Sequence, residues 1–425
     1  MKAEKFAVRT LGCKVNQYEG EALREGLRRA GFMESAEEDA DVVIVNSCTV
    51  TDEADRKTRK LIKRIKREKP GAKIFVTGCY AVTDEDIGTL RALPEVDGVI
   101  NNGDKMRIPD ILSSLCDGTG KDERVLEKGA GVLSRTRAFL KIQDGCDQNC
   151  SYCKVSIVRG PSRSRTEEDI LAEARRLLEG GYREIVLTGV CIGSWKGPDG
   201  RKISYLLEKI TGIEGNFRVR ISSIEPNHVD DDLIEVVRAS DKICKHLHIP
   251  LQHGSDSILR SMNRRYTAEQ FSALIGRLRK AVPLIGVTTD IIAGFPGESE
   301  KDIETAMGLI KEIKPSRLHV FRYSDRNGTP SFSMKGKVPP GTVKDRVYRI
   351  ITLGRELQTG FCREFDGREV EVLVEKRSAG RSLSGYSSEY VRVKMFGYEG
   401  AEGDIITIKV GHVDEREPCL CAAKR

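Results

Sequence analysis

The stretch that decides the fold is residues 143–153, which read QDGCDQNCSYC. It places Cys146, Cys150 and Cys153 on one short loop in the spacing C-x-x-x-C-x-x-C. The loop begins where a predicted strand, residues 138–142, ends. Because α/β folds usually build their chemistry at the carboxyl ends of strands, we expect these three thiols to be functional ligands.

The number of thiols in this loop indicates the kind of site. A [4Fe–4S] cluster held entirely by protein needs four cysteines, and the loop supplies three, with no histidine before His228. We therefore expect a [4Fe–4S] cluster with one iron open to a small molecule. A structural zinc site is the alternative, but such a site closes with four protein ligands.

The segments that follow residue 137 alternate between strands and helices, for example the predicted helices 167–178 and 300–313. Alternation of this kind predicts a parallel sheet. Six β/α units predict an open or partial barrel, because a complete barrel has eight. The six predicted strands are residues 138–142, 184–188, 217–222, 245–251, 286–292 and 317–322.

The two ends of the chain have different patterns. Strands predicted at residues 6–11, 42–46, 73–77 and 96–100 alternate with helices, which predicts another parallel sheet. Five short strands with glycine-rich turns follow residue 360 and predict a small β-barrel of a kind that binds oligonucleotides. The predicted organisation is an α/β protein with an N-terminal cluster-binding domain, a linker, a partial (β/α)6 barrel and a C-terminal all-β barrel, at residues 1–116, 117–136, 137–359 and 360–425.

A second set of cysteines is spread along the N-terminal region. Cys13, Cys48 and Cys79 each follow a predicted strand directly. In a parallel sheet these strand ends share one edge, so the three thiols are expected to converge on a second cluster site. The alternative is that cysteine is merely a small buried residue at each position.

The two triads account for six of the twelve cysteines. Four others have no partner spacing and are predicted to pack in the core: Cys116, Cys191, Cys244 and Cys362. Cys419 and Cys421 form a C-x-C pair, which indicates either a weak metal or sulfur site or simply alternating strand residues.

Composition sets limits on location and partners. The chain has 425 residues, 39% hydrophobic and 32% charged, with a net charge of +7. That length predicts two or three domains, and the mild basic excess permits nucleic-acid contact without demonstrating it. No apolar run approaches a membrane span and no signal-peptide core is present, so we expect a cytoplasmic protein without a membrane partner.

Motifs along essentially the whole chain resemble those of the methylthiotransferase family of radical S-adenosylmethionine (SAM) enzymes. Residues 10–19, TLGCKVNQYE, resemble the subgroup that acts on threonylcarbamoyladenosine in tRNA, whereas two other subgroups usually have Gln-Met or Pro-Lys at Lys14-Val15. Residues 160–165, GPSRSR, also fit the family. The resemblance implies a three-cysteine N-terminal domain, a radical SAM domain and a C-terminal TRAM domain.

The same resemblance implies cofactors, partners and a reaction. Family members use two [4Fe–4S] clusters and SAM to place a methylthio group on an unactivated carbon, here C2 of the modified adenine at tRNA position 37. One SAM methylates a sulfur at the first cluster, and a second SAM at Cys146, Cys150 and Cys153 yields the radical that takes hydrogen from that carbon. We expect tRNA, an electron donor and a sulfur source as partners, and a monomer.

Residues of the SAM-binding face are also assigned by resemblance. They follow the cluster loop and successive barrel strands, and no further catalytic residue is assigned. These residues are Tyr152, Thr188, Gly189, Ser222, Glu225, Gln252, Gly294 and Phe295.

Basic residues indicate where RNA would bind. Residues 53–70 hold nine Lys or Arg and three acids, on a predicted helix after Cys48. A solvated helix face is the ordinary explanation, and phosphate contact is the alternative. Arg159, Arg163 and Arg165 follow the second cluster loop in the same way. The C-terminal region is not basic, since residues 361–425 carry eleven basic and twelve acidic side chains.

Within that C-terminal region, any RNA contact would have to come from local groups of side chains. Aromatic stacking on bases is possible there, although core packing is the ordinary role of such residues. The basic groups are Lys376, Arg377 and Arg381, or Arg392 and Lys394, and the aromatic residues are Tyr386, Tyr390 and Phe396.

Three functions stay open at this point. The first is methylthiotransferase activity on threonylcarbamoyladenosine in tRNA. The second is the same chemistry on isopentenyladenosine in tRNA or on an aspartate of a ribosomal protein. The third is a non-catalytic RNA-binding protein whose clusters are structural.

Overall fold

The computed structural model describes residues 4–117, 136–378 and 382–423. The predicted linker lies almost wholly outside the described residues. The chain forms two compact units. Of the described residues, unit 1 contains 4–117 together with 153–161 and 324–328, and unit 2 contains the rest.

Unit 1 is built on a five-stranded parallel sheet in the order β2-β1-β3-β4-β5. Its middle strand β3 is buried at every position and apolar over its first four residues, as expected of a parallel strand covered by helices on both faces. The strands are β1 (Lys5–Thr10), β2 (Met33–Glu34), β3 (Val42–Ser47), β4 (Lys73–Gly78) and β5 (Gly98–Val99). The helices are α1 (Lys14–Arg29), α2 (Asp52–Glu68), α3 (Asp84–Arg91), α4 (Ile108–Asp117) and α5 (Val155–Arg159).

Alternating side chains of this sheet form two cores. Val43 and Val45 pack with Ile62 and Ile65 of α2 on one face. On the other face, Ile44 belongs to the core that includes Leu23 and Leu27 of α1. The predicted parallel sheet is confirmed, whereas the short edge strand β2 and helix α4 were not predicted.

Unit 2 contains six parallel strands that form a partial β/α barrel. Strands β6, β9 and β10 form one sheet and β11, β12 and β13 another, and single bridges such as Ser223 to His248 join them. The predicted six-unit barrel is confirmed. Its strands are β6 (Ala138–Lys141), β9 (Glu184–Thr188), β10 (Arg218–Ile221), β11 (His246–His248), β12 (Gly286–Ala293) and β13 (Arg317–Arg322), with a small antiparallel pair of β7 (Gln143–Asp144) and β8 (Arg163–Ser164).

Helices cover the outside of these strands. Alternate strand residues, such as Ile185 and Ile291, pack with helix residues in the main core, so the side chains between them face the inside of the barrel. The helices are α6 (Glu167–Glu179), α7 (Ile203–Thr211), α8 (Asp231–Ala239), α9 (Asp256–Ser261), α10 (Ala268–Ala281), α11 (Glu300–Ile313) and α12 (Pro340–Arg363).

A closed five-stranded barrel completes unit 2, and the predicted C-terminal β-barrel is confirmed. Helix α12 leads into it, and Phe361 and Cys362 of its last turn belong to the barrel core. The predicted domain boundary between residues 359 and 360 therefore falls inside this helix. The strands are β14 (Glu369–Ser378), β15 (Ser382–Ser387), β16 (Arg392–Phe396), β17 (Ile405–Asp414) and β18 (Cys419–Ala422).

One turn of the small barrel lies against the amino-terminal ends of the partial-barrel strands. Glu184 is fully buried and accepts hydrogen bonds from Arg218 Nε at 2.6 Å and Arg220 Nε at 2.8 Å. The same arginines donate to the backbone oxygens of Tyr386 at 2.9 Å and Ser387 at 3.0 Å. This ionic group joins the two barrels of unit 2.

Within the described residues, no helix is long and apolar enough to cross a bilayer.

Candidate functional site

The first cysteine triad lies at one edge of the unit 1 sheet. Cys13, Cys48 and Cys79 follow β1, β3 and β4, which are adjacent strands. The backbone continues their pairing, because Leu11 N donates to Asn46 O at 2.9 Å and Cys79 N donates to Ser47 O at 3.1 Å. The predicted address at the carboxyl ends of neighbouring parallel strands is therefore the observed one.

Two glycines show how closely this edge is packed. A Cβ on Gly12 would lie 2.6 Å from Cys48 Cβ and 2.9 Å from Cys48 Sγ, so Cys48 rests against the residue before Cys13. A Cβ on Gly78 would lie 2.4 Å from Ser47 O. Both glycines have positive φ, +101° and +95°, which strains any other residue. The structure thus places the residue before Cys13 against Cys48 and fixes the turn before Cys79.

Asn16 of α1 ties the three segments together. Its Nδ2 donates to Leu11 O at 2.9 Å and to Ser47 O at 2.7 Å. Its Oδ1 lies 3.7 Å from Cys79 Sγ. One buried side chain therefore contacts the strand ends that carry all three thiols.

The charges near this triad are buried and unbalanced. Glu19 Oε2 accepts from Lys105 Nζ at 2.6 Å, and Glu19 Oε1 accepts from Arg159 Nη1 at 2.9 Å. Two cations against one carboxylate leave a net positive charge. Burial raises the pKa of Cys79, and Arg159 and Lys105 act in the opposite direction. Buried cations of this kind favour anionic sulfur nearby.

Burial also governs Cys48, whose pKa it raises to about 12. A metal ligand must be a thiolate, so a buried thiol of this kind becomes a thiolate when metal replaces its proton. Three thiols beside the net positive group of Glu19, Lys105 and Arg159 fit an anionic iron–sulfur cluster better than three cysteines that merely pack in the core.

The second triad begins in unit 2. Gln143 organises the loop, because its Nε2 donates to Gly145 O at 2.7 Å and its Oε1 accepts from Cys191 N at 2.8 Å. Cys146 and Cys150 follow within unit 2, and Cys153 is the first residue of the 153–161 segment of unit 1. All three are partly exposed.

Arg264 contacts this loop and was not predicted. Its Nη1 donates to Cys150 Sγ at 3.1 Å, and its guanidinium also binds Glu225. Burial raises the pKa of Cys150, and Arg264 counteracts it. No sequence signal links Arg264 to a cysteine 114 residues earlier.

Cys191 is a second residue that spacing missed. A hydrogen bond between its thiol and that of Cys146 lowers the pKa of Cys146 and raises the pKa of Cys191. Its Sγ also lies 3.8 Å from His228 Nδ1. Cys191 is buried, as predicted, but it packs against a cluster-loop cysteine.

The predicted SAM residues of the first barrel half lie at strand ends. Thr188 ends β9, and its buried Oγ1 has no hydrogen-bond partner among the residues that the structure describes. A Cβ on Gly189 would lie 2.9 Å from Gln143 O, so the backbone approaches the cluster loop closely. Ser222 follows β10 and donates its backbone N–H to Leu187 O at 3.2 Å. The orphaned hydroxyl of Thr188 fits an ammonium donor such as that of SAM.

The predicted residues of the second half are held by their backbones. Gln252 has φ +66° and forms a bridge with Ile291. Gly294 N lies 3.0 Å from both carboxylate oxygens of Glu298. Phe295 is fully buried in a small cluster against which Tyr152 packs. The assignment of these residues to the SAM-binding face stays a prediction.

The predicted RNA-contacting arginines divide into two groups. Arg159 is buried against Glu19, and Arg165 Nη1 binds Glu173 Oε2 at 2.6 Å, so the prediction is wrong for these two. Arg163 is exposed. On α2, Lys60 and Lys63 are exposed and make no ion pair with any residue in the described part of the chain.

In the C-terminal barrel, Tyr386 and Tyr390 stack on each other at 4.8 Å and pack against Arg137, which is a structural role. Lys394 is paired with Asp414 at 3.0 Å. Phe396 is exposed. Cys419 and Cys421 are buried in β18, as alternating strand residues can be. Arg381 and the side chain of Cys116 lie outside the described residues.

Comparison with known proteins identifies the family. Residues 140–310 match the radical SAM superfamily, and residues 5–101 match Uncharacterized protein family UPF0004. The chain is 38% identical to "Threonylcarbamoyladenosine tRNA methylthiotransferase MtaB" of Bacillus subtilis (strain 168), over 95% of this chain and 93% of that protein. The chain is a member of the radical SAM methylthiotransferase family.

Other relatives belong to two named subgroups of this family. The Thermotoga maritima protein with the same name as the Bacillus one is 36% identical over 98% of this chain and 96% of its own length. A "tRNA-2-methylthio-N(6)-dimethylallyladenosine synthase" of Carboxydothermus hydrogenoformans is 35% identical over 96% and 97%.

Solved structures support the fold of this methylthiotransferase. The radical SAM methyltransferase TsrM of Kitasatospora setae, with cobalamin and a [4Fe-4S] cluster bound, superposes with a TM-score of 0.57 at 14% identity. The match covers 78% of this chain and 77% of that one. At this identity the likeness concerns the fold alone.

Proposed function

We propose that this methylthiotransferase acts on tRNA and adds a methylthio group to C2 of N6-threonylcarbamoyladenosine at position 37. The observation that carries the proposal is the presence of two sets of three thiols, each at the carboxyl ends of parallel strands. The relatives of the chain over nearly its full length are named for this reaction. Its cofactors are SAM and [4Fe–4S] clusters.

The cluster ligands are part of this proposal. Cys13, Cys48 and Cys79 hold one cluster, and the 143–153 loop holds the other through Cys146, Cys150 and Cys153. We propose three cysteine ligands for each cluster, which leaves one iron of each open to a small molecule. When bound, the clusters and SAM supply the radical and sulfur-transfer chemistry.

The chain's own residues hold and charge these sites. Near the first site, Lys105 and Arg159 offset the negative charge of three thiolates, and Asn16 fixes the strand ends. Near the second, Arg264 donates to Cys150 Sγ. Such outer contacts orient ligands and tune a cluster.

The SAM site is proposed at the ends of the barrel strands above the 143–153 loop. Thr188 and Glu225 supply acceptor oxygens for the ammonium group. Gly189 lets the backbone come close to the loop because a side chain there would meet Gln143. Tyr152, Ser222, Gln252, Gly294 and Phe295 complete the proposed face.

The remaining partners and the setting are also proposals. The proposed partners are an electron donor for the cluster that the 143–153 loop would hold and a source of the transferred sulfur. Because its relatives are named for tRNA modification, we place the protein in the cytoplasm, where tRNA is available. We propose that it acts as a monomer.

Isopentenyladenosine is the second candidate substrate. The relative from Carboxydothermus hydrogenoformans, at 35% identity over 96% of this chain, is named for dimethylallyladenosine. The difference from the first relative's 38% is small, so identity alone separates the two substrates weakly. The Lys14-Val15 pair favours threonylcarbamoyladenosine.

Mass spectrometry of tRNA nucleosides separates these functions. A strain that lacks both tRNA methylthiotransferases is complemented with the wild-type chain, with Cys150→Ala, or with Cys421→Ala as a control outside both triads. We expect 2-methylthio-N6-threonylcarbamoyladenosine with the wild type and the control only. Methylthio-isopentenyladenosine alone would establish the second candidate, and neither product in cells containing loaded protein would reject tRNA as substrate.

A further inference from the structure

Three polar side chains from adjacent strands meet on the inner face of the partial barrel, away from both cysteine triads in sequence. His248 ends β11, Asp290 lies in β12 and His319 lies in β13. The neighbours of each in sequence pack outward into the main core, for example Ile291 and Leu247. Strand alternation therefore turns His248, Asp290 and His319 towards the barrel interior.

The distances suit a metal ion. His248 Nε2 lies 3.2 Å from Asp290 Oδ2, and His319 Nδ1 lies 3.2 Å from Asp290 Oδ1. One ligand atom from each residue fits within 4.8 Å of the others. Metal–nitrogen and metal–oxygen bonds of about 2.1 Å in a tetrahedral arrangement space the ligand atoms roughly 3.4 Å apart. The triad thus needs little movement to close on an ion.

A hydroxyl behind the triad orients one of its rings. Thr288 Oγ1 lies 2.9 Å from His248 Nδ1 and 3.0 Å from His246 Nε2. The contact to Nδ1 occupies the ring nitrogen of His248 that faces away from Asp290. Metal-binding histidines usually make such a hydrogen bond with their other ring nitrogen, which fixes the tautomer and the ring orientation.

Exposure and ligand type indicate the kind of ion. The three side chains are partly buried, with exposed fractions of 14% for His248, 22% for Asp290 and 35% for His319. Water or another ligand can therefore reach the remaining positions. Two imidazoles and one carboxylate are the facial ligand set of Fe²⁺ and also suit Mn²⁺ and Zn²⁺, whereas the iron of clusters prefers thiolates.

We propose that His248, Asp290 and His319 form a divalent-metal site inside the partial barrel, separate from the two cysteine triads. The site has three protein ligands on three rigid strands and at least one position open to solvent or to a bound molecule. It takes Mn²⁺, Fe²⁺ or Zn²⁺. The site does not depend on which nucleoside the enzyme modifies.

The ordinary alternative is a hydrogen-bonded group without metal. In that arrangement each imidazole donates a hydrogen bond to Asp290. The Thr288 hydroxyl donates a hydrogen bond to His248 Nδ1. Both arrangements keep the same side chains together, so their separation needs a direct measurement of metal.

Mn²⁺ is the probe, because it prefers oxygen and nitrogen ligands and the thiols of both triads are occupied in the cluster-loaded enzyme. Mn²⁺ is titrated into the anaerobic, cluster-loaded protein with both clusters oxidised, and free Mn²⁺ is followed by electron paramagnetic resonance. The variants are His319→Ala, Asp290→Asn and, as a control, His412→Ala, whose side chain is exposed on β17.

We expect one tight Mn²⁺ per chain in the wild type and in His412→Ala, and at least tenfold weaker binding in His319→Ala and Asp290→Asn. Asp290→Asn keeps the size of the side chain, and cluster absorbance with unchanged melting temperature verifies that each variant is folded. A second readout is the melting temperature, which Mn²⁺ should raise only in the wild type and in His412→Ala. No tight Mn²⁺ in the wild type, or equal binding in all four proteins, would overturn the proposal in favour of the hydrogen-bonded group.

Discussion

Arg159 and Glu19 form a buried ion pair, with Nη1 2.9 Å from Oε1, although 140 residues separate them in the chain. Arg159 also donates to Asn16 Oδ1 at 2.6 Å. Arg159 follows Cys153 by six residues, and Asn16 follows Cys13 by three. Arg159, which follows the second cysteine motif, therefore contacts residues that surround the first triad within unit 1.

The first prediction concerns this pair. Arg159→Gln removes the hydrogen bonds of Arg159 to Glu19 and Asn16, while Lys105 still neutralises Glu19, so we expect a loss of about 1.5–3 kcal/mol in stability. We also expect less iron at the first triad, measured in a chain in which Cys146, Cys150 and Cys153 are alanines. Arg159→Lys should restore part of both, and Arg163→Gln, an exposed control, should change neither.

The second prediction concerns the turn before Cys79. Gly78→Ala places a Cβ 2.4 Å from Ser47 O at a φ of +95°, so the strand end must shift. We expect this variant to lose iron at the first triad and to melt at a lower temperature. Gly88→Ala is the matched control, because nothing lies within 4 Å of its Cβ and it sits in helix α3. Since alanine suits a helix better by roughly 0.5–1 kcal/mol, the control should be neutral or slightly more stable. Equal iron content in both variants would contradict the packing described for this edge.

The third prediction concerns acid stability. Arg220, Arg218 and Arg137 overcome the effect of burial and hold the pKa of Glu184 far below its usual range. A carboxyl group with a depressed folded-state pKa stabilises the protein above its unfolded pKa of about 4.3 and loses that contribution as pH falls further. Wild-type stability in chemical denaturation should therefore decline below about pH 4.3, and Glu184→Gln should lack this part of the decline.

At pH 7, Glu184→Gln should be less stable than the wild type by about 3–5 kcal/mol, because two buried arginines, Arg218 and Arg220, lose their anion. Glu235→Gln is the control, since Glu235 is an exposed residue of α8 that pairs only with Arg238 among the described residues. An identical pH dependence in wild type and Glu184→Gln would contradict the ionic link between the two barrels.

The fourth prediction concerns tRNA binding by α2. Lys60→Glu with Lys63→Glu reverses two exposed charges that no acid in the described residues neutralises. If both contact phosphate, the slope of log affinity against log salt should fall in magnitude by about 1.4–1.8, and affinity should drop at every salt concentration. Lys301→Glu with Lys311→Glu makes the same change on α11 and should leave the slope nearly unchanged. Equal slopes for both double variants would show that α2 is a solvated face.

The cysteines and the strands were largely predictable from sequence. The sequence pattern predicted the first and last residues of β9 and β13 correctly. Both triads follow strand ends, as predicted. Short edge strands such as β2 have too few residues to show the two-residue alternation from which a strand is predicted. Helix α12 begins at Pro340 and continues past the predicted domain boundary, because Phe361 and Cys362 of its last turn pack in the core of the small barrel.

The partners of the cysteines were not predictable. Arg264 lies 114 residues from Cys150 in the chain, and Glu19 lies 140 residues from Arg159. Cys191 contacts Cys146 from another segment, and no local pattern marks any of the three. Arg159 is a basic residue that follows a cluster loop, as an RNA-binding residue would be. It is buried instead, because Glu19 of α1 neutralises its charge. Pairing of this kind depends on tertiary structure alone.

Iron and sulfide content tests the central claim, that the chain holds two independent three-thiol cluster sites. The reconstituted wild type should contain about eight iron and eight sulfide per chain. A variant with alanine at Cys13, Cys48 and Cys79, and another with alanine at Cys146, Cys150 and Cys153, should each contain about four. A wild type with only about four, or either variant with about eight, would contradict the account.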